Sequence, residues 1–336
     1  MKTRRKFLAE SLFVAAAALT LPSHLSADKK IYNMTDKNEF DVIIIGGSYA
    51  GLSAAMALGR SLRNVLIIDA GNPCNKQTPF SHNFITQDGK PPAVISDIAK
   101  DQVLKYPNVQ FLKGTAKSAI KNNIGIKVLM DSGKAFHGRK LIMATGITDI
   151  LPEIDGFAEC WGITAIHCPY CHGYEVRQAK TGILANGDSA YETAKLISNW
   201  TNDLTIFTNG QSKLTIGQVS ELKQKGILII EKEISSIIHH KGHIDYLVFN
   251  DNSIEKIEAL YARVPFKQHS NILQELGCEM NEQGFVKVDQ FQKTSIPDIY
   301  ACGDNTTFLR SVAQAVYTGS VAGASANLEM IKEDWI

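Results

Sequence analysis

Phe40-Asp41-Val42-Ile43-Ile44-Ile45-Gly46-Gly47-Ser48-Tyr49-Ala50-Gly51 is the stretch that sets the architecture of this 336-residue chain. Its first half is an apolar, β-branched run broken only by Asp41, as a strand buried in a parallel sheet requires. The glycines that follow permit a tight turn. Leu52 to Leu62 then has apolar residues at helical spacing, and Val65 to Ile68 reads as a second strand ending at Asp69. Such a βαβ unit suits a dinucleotide for physical reasons. The helix N-terminus offers free N–H groups and a positive dipole to a pyrophosphate, and the acid accepts hydrogen bonds from a ribose. Ser48 stands where the G-x-G-x-x-G pattern has its second glycine. Gly46, Gly47, Ser48, Ala50, Gly51 and Asp69 are the first candidate cofactor-binding residues.

Lys140 to Met143 reads as another strand and runs into the turn Ala144-Thr145-Gly146, and Leu151 to Gly156 reads as a crossing linker. Next comes His167-Cys168-Pro169-Tyr170-Cys171-His172-Gly173. Two thiols two residues apart can close a disulfide and open it again, which makes them a two-electron relay. A second βαβ pattern follows, with strands at Thr181–Ala185 and Asp203–Thr208 around a helix at Ser189–Trp200. Its turn, Ala185-Asn186-Gly187-Asp188, has alanine in place of the first glycine. Thr208-Asn209-Gly210-Gln211 offers no arginine for a 2′-phosphate and no acid for a ribose.

Residues 227–264 read as β-rich, with a turn at His239 to Gly242. Gly284 to Asp289 reads as a strand, and Val312 to Ala326 as a small-residue helix. The expected fold is α/β, with two Rossmann-like three-layer domains. The first (38–153 and 273–336) is split around an inserted, degenerate NAD(P)-type domain (154–272) that carries the dithiol.

Thirty-five basic residues against thirty-four acidic ones leave a net charge of +1, with no sign of a nucleic-acid partner. The first 27 residues differ from the rest. Met1-Lys2-Thr3-Arg4-Arg5-Lys6 precedes an apolar run, Leu12 to Leu21, and Leu25-Ser26-Ala27 offers small residues for cleavage. This layout is that of a signal peptide, and the run is too short to span a bilayer. The arginine pair points to the twin-arginine route, which exports folded proteins. A Sec signal with two arginines is the alternative. The expectation is a periplasmic protein with no membrane attachment once the signal is removed.

From Glu39 onward the chain resembles the low-molecular-weight thioredoxin reductases. The blocks that carry the resemblance are the turn at Gly46 to Gly51, Ala144-Thr145-Gly146, the C-x-x-C pair and Thr294-Ser295-Ile296-Pro297-Asp298-Ile299-Tyr300-Ala301-Cys302-Gly303-Asp304. The resemblance implies a homodimer with non-covalent FAD. It lays Gly303 and Asp304 along the ribityl and pyrophosphate, and brings Arg310, Ser311 and Val312 near the flavin ring as a helix N-terminus. It turns Cys171 toward the ring and Cys168 toward the substrate.

The departures alter the expected chemistry. Where those reductases have an acid after the second cysteine, this chain has His172, and the features of an NADPH site are missing from the second turn. Cys168 to Glu175 is similar to a branch of dithiol oxidases, which pass electrons from a dithiol through FAD to oxygen. The expected activity is therefore FAD-dependent dithiol oxidation, with oxygen or another acceptor taking the electrons. Cys168 and Cys171 would form the relay, with His172 as acid–base because an unperturbed imidazole titrates near neutrality. His167 is a weaker candidate for that role. The partner is a small-molecule dithiol or a thioredoxin-like protein. NADPH-dependent thioredoxin-disulfide reduction is the alternative, and a flavin redox carrier or sensor is the non-enzymatic one.

Cys168-x-x-Cys171-His172 also matches the c-type haem attachment string, and Cys-Pro-Tyr-Cys a glutaredoxin site. The nucleotide blocks on both sides leave no room for a haem fold, and a glutaredoxin has its pair near the start of a small domain. Zinc on His167, Cys168, Cys171 and His172 is geometrically poor, because adjacent residues cannot all point at one tetrahedral centre, so no metal is expected. Cys302 reads as a buried, inert thiol, and the pairing of Cys74 is open.

Overall fold

The computed structural model describes residues 38–335, so the leader read at residues 1–27 lies outside the described part. The described part opens with β1 (Glu39–Ile45), α1 (Tyr49–Arg60), β2 (Val65–Asp69), α2 (Pro92–Val103) and β3 (Val109–Lys113). Three strands follow in antiparallel succession: β4 (Ala116–Asn122), β5 (Gly125–Met130) and β6 (Ala135–Met143). The middle of the chain holds β7 (Ile147–Asp149), α3 (Phe157–Cys160), β8 (Ala165–Ile166), α4 (Pro169–His172), β9 (Thr181–Leu184), α5 (Gly187–Ile197) and β10 (Leu204–Phe207). It continues with α6 (Ile216–Gln224), β11 (Leu228–Ile230), β12 (Ile234–His240), β13 (His243–Phe249), β14 (Ile254–Glu255) and β15 (Ala259–Ala262). The last elements are β16 (Phe266–Gln268), α7 (Ile272–Glu275), β17 (Ile299–Ala301) and α8 (Val312–Asp334).

The first sheet runs β3-β2-β1-β6-β5-β4, with β17 added on β6. Strand β1 pairs in parallel with both β2 and β6, which explains its apolar run. Its side chains alternate between two cores, as a period of two demands. Val42 and Ile44 face α1 and α8, while Ile43 and Ile45 face Val128, Phe136 and Val286. Helix α8 needs its small residues because it presses on α1. A Cβ on Gly319 would sit 2.1 Å from the Ala50 carbonyl oxygen, so only glycine fits.

The second sheet, β11-β10-β9-β15-β8, is parallel throughout. One face packs on α5 and α6 through Ala190, Ala194, Ile197 and Leu222. The other packs on the antiparallel β12-β13-β14 sheet through Ile237, Leu247 and Phe249. The chain leaves the first sheet through β7 and returns through β16, and these two strands pair antiparallel. Because β17 then rejoins β6, the first domain is split around the second. The hairpin turn expected at His239 to Gly242 joins β12 to β13.

One expected strand is absent. Residues 284–289 form only an isolated bridge, between Met280 and Val286. Their backbone groups are satisfied elsewhere: Val286 N–H donates to the Asn305 carbonyl, and Asp289 N–H to the Lys293 carbonyl. The apolar spacing of Phe285, Val286 and Val288 serves packing without a neighbouring strand.

Candidate active site

The dithiol sits on α4, a single helical turn. Pro169 suits its first position, where its fixed φ is pre-organised and its missing N–H is not needed. The N–H groups of Cys171 and His172 both donate to the Cys168 carbonyl, at 3.2 and 3.1 Å. That turn brings the two Cα atoms to 5.3 Å, and Cys168 and Cys171 form a disulfide. Tyr170 points outward and sets its ring edge-on to Trp200, with centroids 5.6 Å apart.

Cys171 and His172 open into a cavity whose walls come from both domains. The first βα turn supplies Ser48, Tyr49 and Ala50, and the β6 turn supplies Ala144, Thr145 and Gly146. Gly303 and Asp304 form a further wall with Arg310, Ser311 and Val312 at the start of α8. The cavity encloses about 1230 Å³ of empty space, counted out to its open mouth. The Cys171 Sγ lies 4.0 Å from the Arg310 carbonyl oxygen. Cys168, Gly46, Gly47, Gly51 and Asp69 are not on the cavity wall.

Those last residues shape the turn behind it. Gly46 has φ +104°, and a Cβ there would lie 2.2 Å from the Ala144 carbonyl oxygen. The Asp69 carboxylate accepts from the N–H of Gly47 at 2.8 Å and of Gly71 at 3.1 Å. It thus pins the turn with two of its roughly four lone-pair positions and keeps the others for a ligand. Ser48, the N-cap of α1, makes no side-chain capping bond, so the first-turn N–H groups stay free of a side-chain cap.

The second turn differs in this respect. Asn186, the N-cap of α5, accepts through Oδ1 from Gly187 N–H at 2.8 Å and from Lys213 N–H at 2.7 Å. Its Nδ2 donates to the carbonyls of Thr208 and Gln211, at 3.2 and 2.9 Å. One side chain therefore caps the helix and sews it to the 208–213 loop, the loop that was expected to lack ribose and phosphate contacts. Glu231 reaches the same loop, accepting from Ser212 N–H at 2.9 Å.

Asp149 and Trp161 carried no sequence signal as site residues, yet they fix the expected Arg310 in place. Arg310 makes a two-pronged pair with Asp149, and Trp161 Nε1 donates to the same carboxylate at 3.1 Å. Burial works against the Arg310 charge, but its hydrogen bonds to Asp149 and the charges of Asp149 and Asp304 together outweigh it and hold the guanidinium firmly protonated. Desolvation raises the Asp304 carboxyl, and Arg310, 3.6 Å away, opposes that rise. Cys74 opens onto the same cavity as a free thiol, pushed up to about 11 by desolvation and by Asp304. Cys302 is fully buried, and its thiol is pushed up to about 12 by desolvation.

The near-neutral imidazole expected at His172 is not what its surroundings give. Desolvation, with help from nearby His82, pushes it down to about 4. His167 is likewise pushed down to about 4, by desolvation and then by Arg310. Both are neutral at pH 7 while the disulfide is closed.

The pyridine nucleotide-disulphide oxidoreductase family model matches residues 40–319. The thioredoxin reductase tcpT of Claviceps purpurea is 32% identical over 313 residues, covering 89% of this chain and 97% of that one. The thioredoxin reductase sirT of Leptosphaeria maculans is 30% identical over 312 residues, covering 88% and 95%. Among solved structures, an oxidoreductase from Agrobacterium tumefaciens superposes with a TM-score of 0.82 at 37% identity, covering 88% of this chain and 99% of that one.

Proposed function

This chain belongs to the pyridine nucleotide-disulphide oxidoreductase family as an FAD-dependent oxidoreductase of the thioredoxin reductase type, and we propose that it runs in the direction of dithiol oxidation. The observation that carries the direction is the Asn186 side chain. It occupies the helix end and the facing loop where a second dinucleotide would place its phosphates, while the first turn stays open.

The first cavity fits FAD. The N–H groups at the start of α1 suit a pyrophosphate, Asp69 keeps acceptors for a ribose, and Asp304 stands among polar groups on the far wall. On this reading Gly46 to Gly51, Ala144 to Gly146, Gly303, Asp304 and Arg310 to Val312 hold the cofactor. When bound, FAD supplies the two-electron acceptor for the reduced pair.

The chain's own residues carry the rest. A substrate thiolate attacks Cys168, a mixed disulfide forms, and Cys171 leaves as a thiolate. The second substrate thiol then attacks the mixed disulfide, releasing the substrate disulfide and a Cys168 thiol. Two electrons have moved from the substrate to the cysteine pair. Neutral His172 accepts the proton of the attacking thiol. Once Cys171 is a thiolate beside it, the opposite charge favours the imidazolium and holds that proton.

A second reading, NADPH-dependent disulfide reduction, is favoured by the names of tcpT and sirT. An anaerobic comparison separates the two. Dithiothreitol should bleach the flavin rapidly and NADPH should not, and readmitted oxygen should yield peroxide. Bleaching by NADPH alone reverses the direction. The dithiol-oxidation reading takes residues 1–27 as a twin-arginine signal for the periplasm. It also takes 38–153 and 273–336 as the FAD-binding domain, a homodimer as the working form, and a small dithiol or thioredoxin-like protein as partner.

A further inference from the structure

The loop after β2 carries an imidazole to the dithiol that the steps above leave unused. His82 lines the same cavity as Cys171 and His172. Its Nε2 faces Glu175 Oε1 at 3.5 Å, and its Nδ1 faces Asp88 Oδ1 at 3.7 Å. Glu175 comes three residues after the end of α4, so this contact joins a first-domain loop to the dithiol turn.

The loop is built to hold the ring. Ser81 N–H donates to the Lys90 carbonyl at 2.8 Å, Gly89 N–H to the Ser81 carbonyl at 2.9 Å, and Asn83 N–H to Asp88 Oδ1 at 2.7 Å. Thr86, a β-branched residue, sits at φ +73°, a conformation kept only where the surroundings enforce it. His82 is mostly enclosed, with 19% of its side chain exposed, whereas Glu175 is 39% and Asp88 66% exposed.

We propose that His82, on the wall of the cavity it shares with His172 and Cys171, is a positioning residue that carries protons released there to the solvent-facing carboxylates Glu175 and Asp88, an inference that rests on the dithiol-oxidation reading. When the substrate S–H bond breaks, the electron pair stays on sulfur for attack at Cys168 and the proton goes to His172. His82 opens onto the same cavity and offers that proton a further acceptor. His82 suits this, because a carboxylate lies within 4 Å of each ring nitrogen. Tyr261 of β15 is within electrostatic reach of Glu175, while Arg310 and Asp149 act on His167.

The test uses the FAD-loaded protein, anaerobically, with dithiothreitol at pH 6 and pH 9. Flavin bleaching is followed alongside acid-quenched alkylation and mass spectrometry, which counts freed Cys168 and Cys171 thiols directly. His82→Asn and Glu175→Gln should each slow both readouts about tenfold or more at pH 6. Both should approach the wild-type rate at pH 9, where a large share of the dithiol already arrives as thiolate. Added imidazole should restore His82→Asn at pH 6. Wild-type rates at pH 6 in both variants, or equal slowing at both pH values, overturn the relay and leave the oxidation reading intact. A wild-type protein that dithiothreitol does not reduce overturns both.

Discussion

Arg310 and Asp149 form a two-pronged ion pair, 2.7 and 3.1 Å long, and Trp161 donates to the same carboxylate. Asp149 ends β7, Arg310 precedes α8 and Trp161 follows α3, so one acid ties the start of α8 to the dithiol domain. Only 8% of the Asp149 side chain and 15% of Arg310 is exposed. Asp149→Asn keeps the shape and strands a charge. The expected cost is about 3 kcal/mol, the low end for a buried pair that loses one partner, because Asp304 stays 3.6 Å from Arg310. Urea unfolding of the FAD-loaded protein measures it. Trp161→Phe, which deletes a hydrogen bond to a charged carboxylate, should cost about 2 kcal/mol. A cost under 1 kcal/mol for Asp149→Asn shows that the pair is not what joins the domains.

Cys171→Ser should abolish flavin bleaching by dithiothreitol while leaving FAD bound, since Cys171 is the member of the pair on the cavity wall. Cys168→Ser removes the attacked sulfur and should also stop turnover. If Cys171→Ser bleaches at the wild-type rate, electrons reach the flavin without the pair and the relay assignment is wrong.

His167 and His172 make stability depend on pH in a defined window. Each is held near 4 in the fold, against about 6.5 in an unfolded chain. Between those values the unfolded state binds more protons, so the stabilisation is intact above pH 6.5 and is lost as pH falls toward 4. The urea midpoint of the oxidised protein should drop over this range, mostly above the ordinary carboxylate titrations. The His167→Asn, His172→Asn double variant should flatten the drop. An unchanged slope in that variant assigns the effect to other groups.

The parts of this molecule legible in the sequence are those written locally. Gly46 to Gly51 after a β-branched run, the C-x-x-C pair and the Ser295 to Asp304 block each hold their meaning within a dozen residues. What was missed depends on partners brought from afar. Asp149 meets Arg310 across 161 positions, and His82 reaches Glu175 from another domain. The low titration of His172 was hidden because burial is a tertiary property. Residues 284–289 have the spacing of a strand, but a strand also needs a neighbour, and the local spacing does not supply one.

Asn186 gives the last test, because its loss was visible in the sequence only as a missing pattern while its bonds are what close the second turn. Asn186→Ala removes a helix cap and bonds to three positions in the 208–213 loop. It should cost about 2 kcal/mol, the upper end for a cap, because the loop is released with the helix end. The measurement is thermal unfolding, paired with anaerobic NADPH titration. On the dithiol-oxidation reading NADPH should still not bleach the flavin, since Gln211 gives a 2′-phosphate no cation. If freeing the turn alone confers rapid NADPH oxidation, then Asn186 is a plug on a working nucleotide site, and the reductase reading takes precedence.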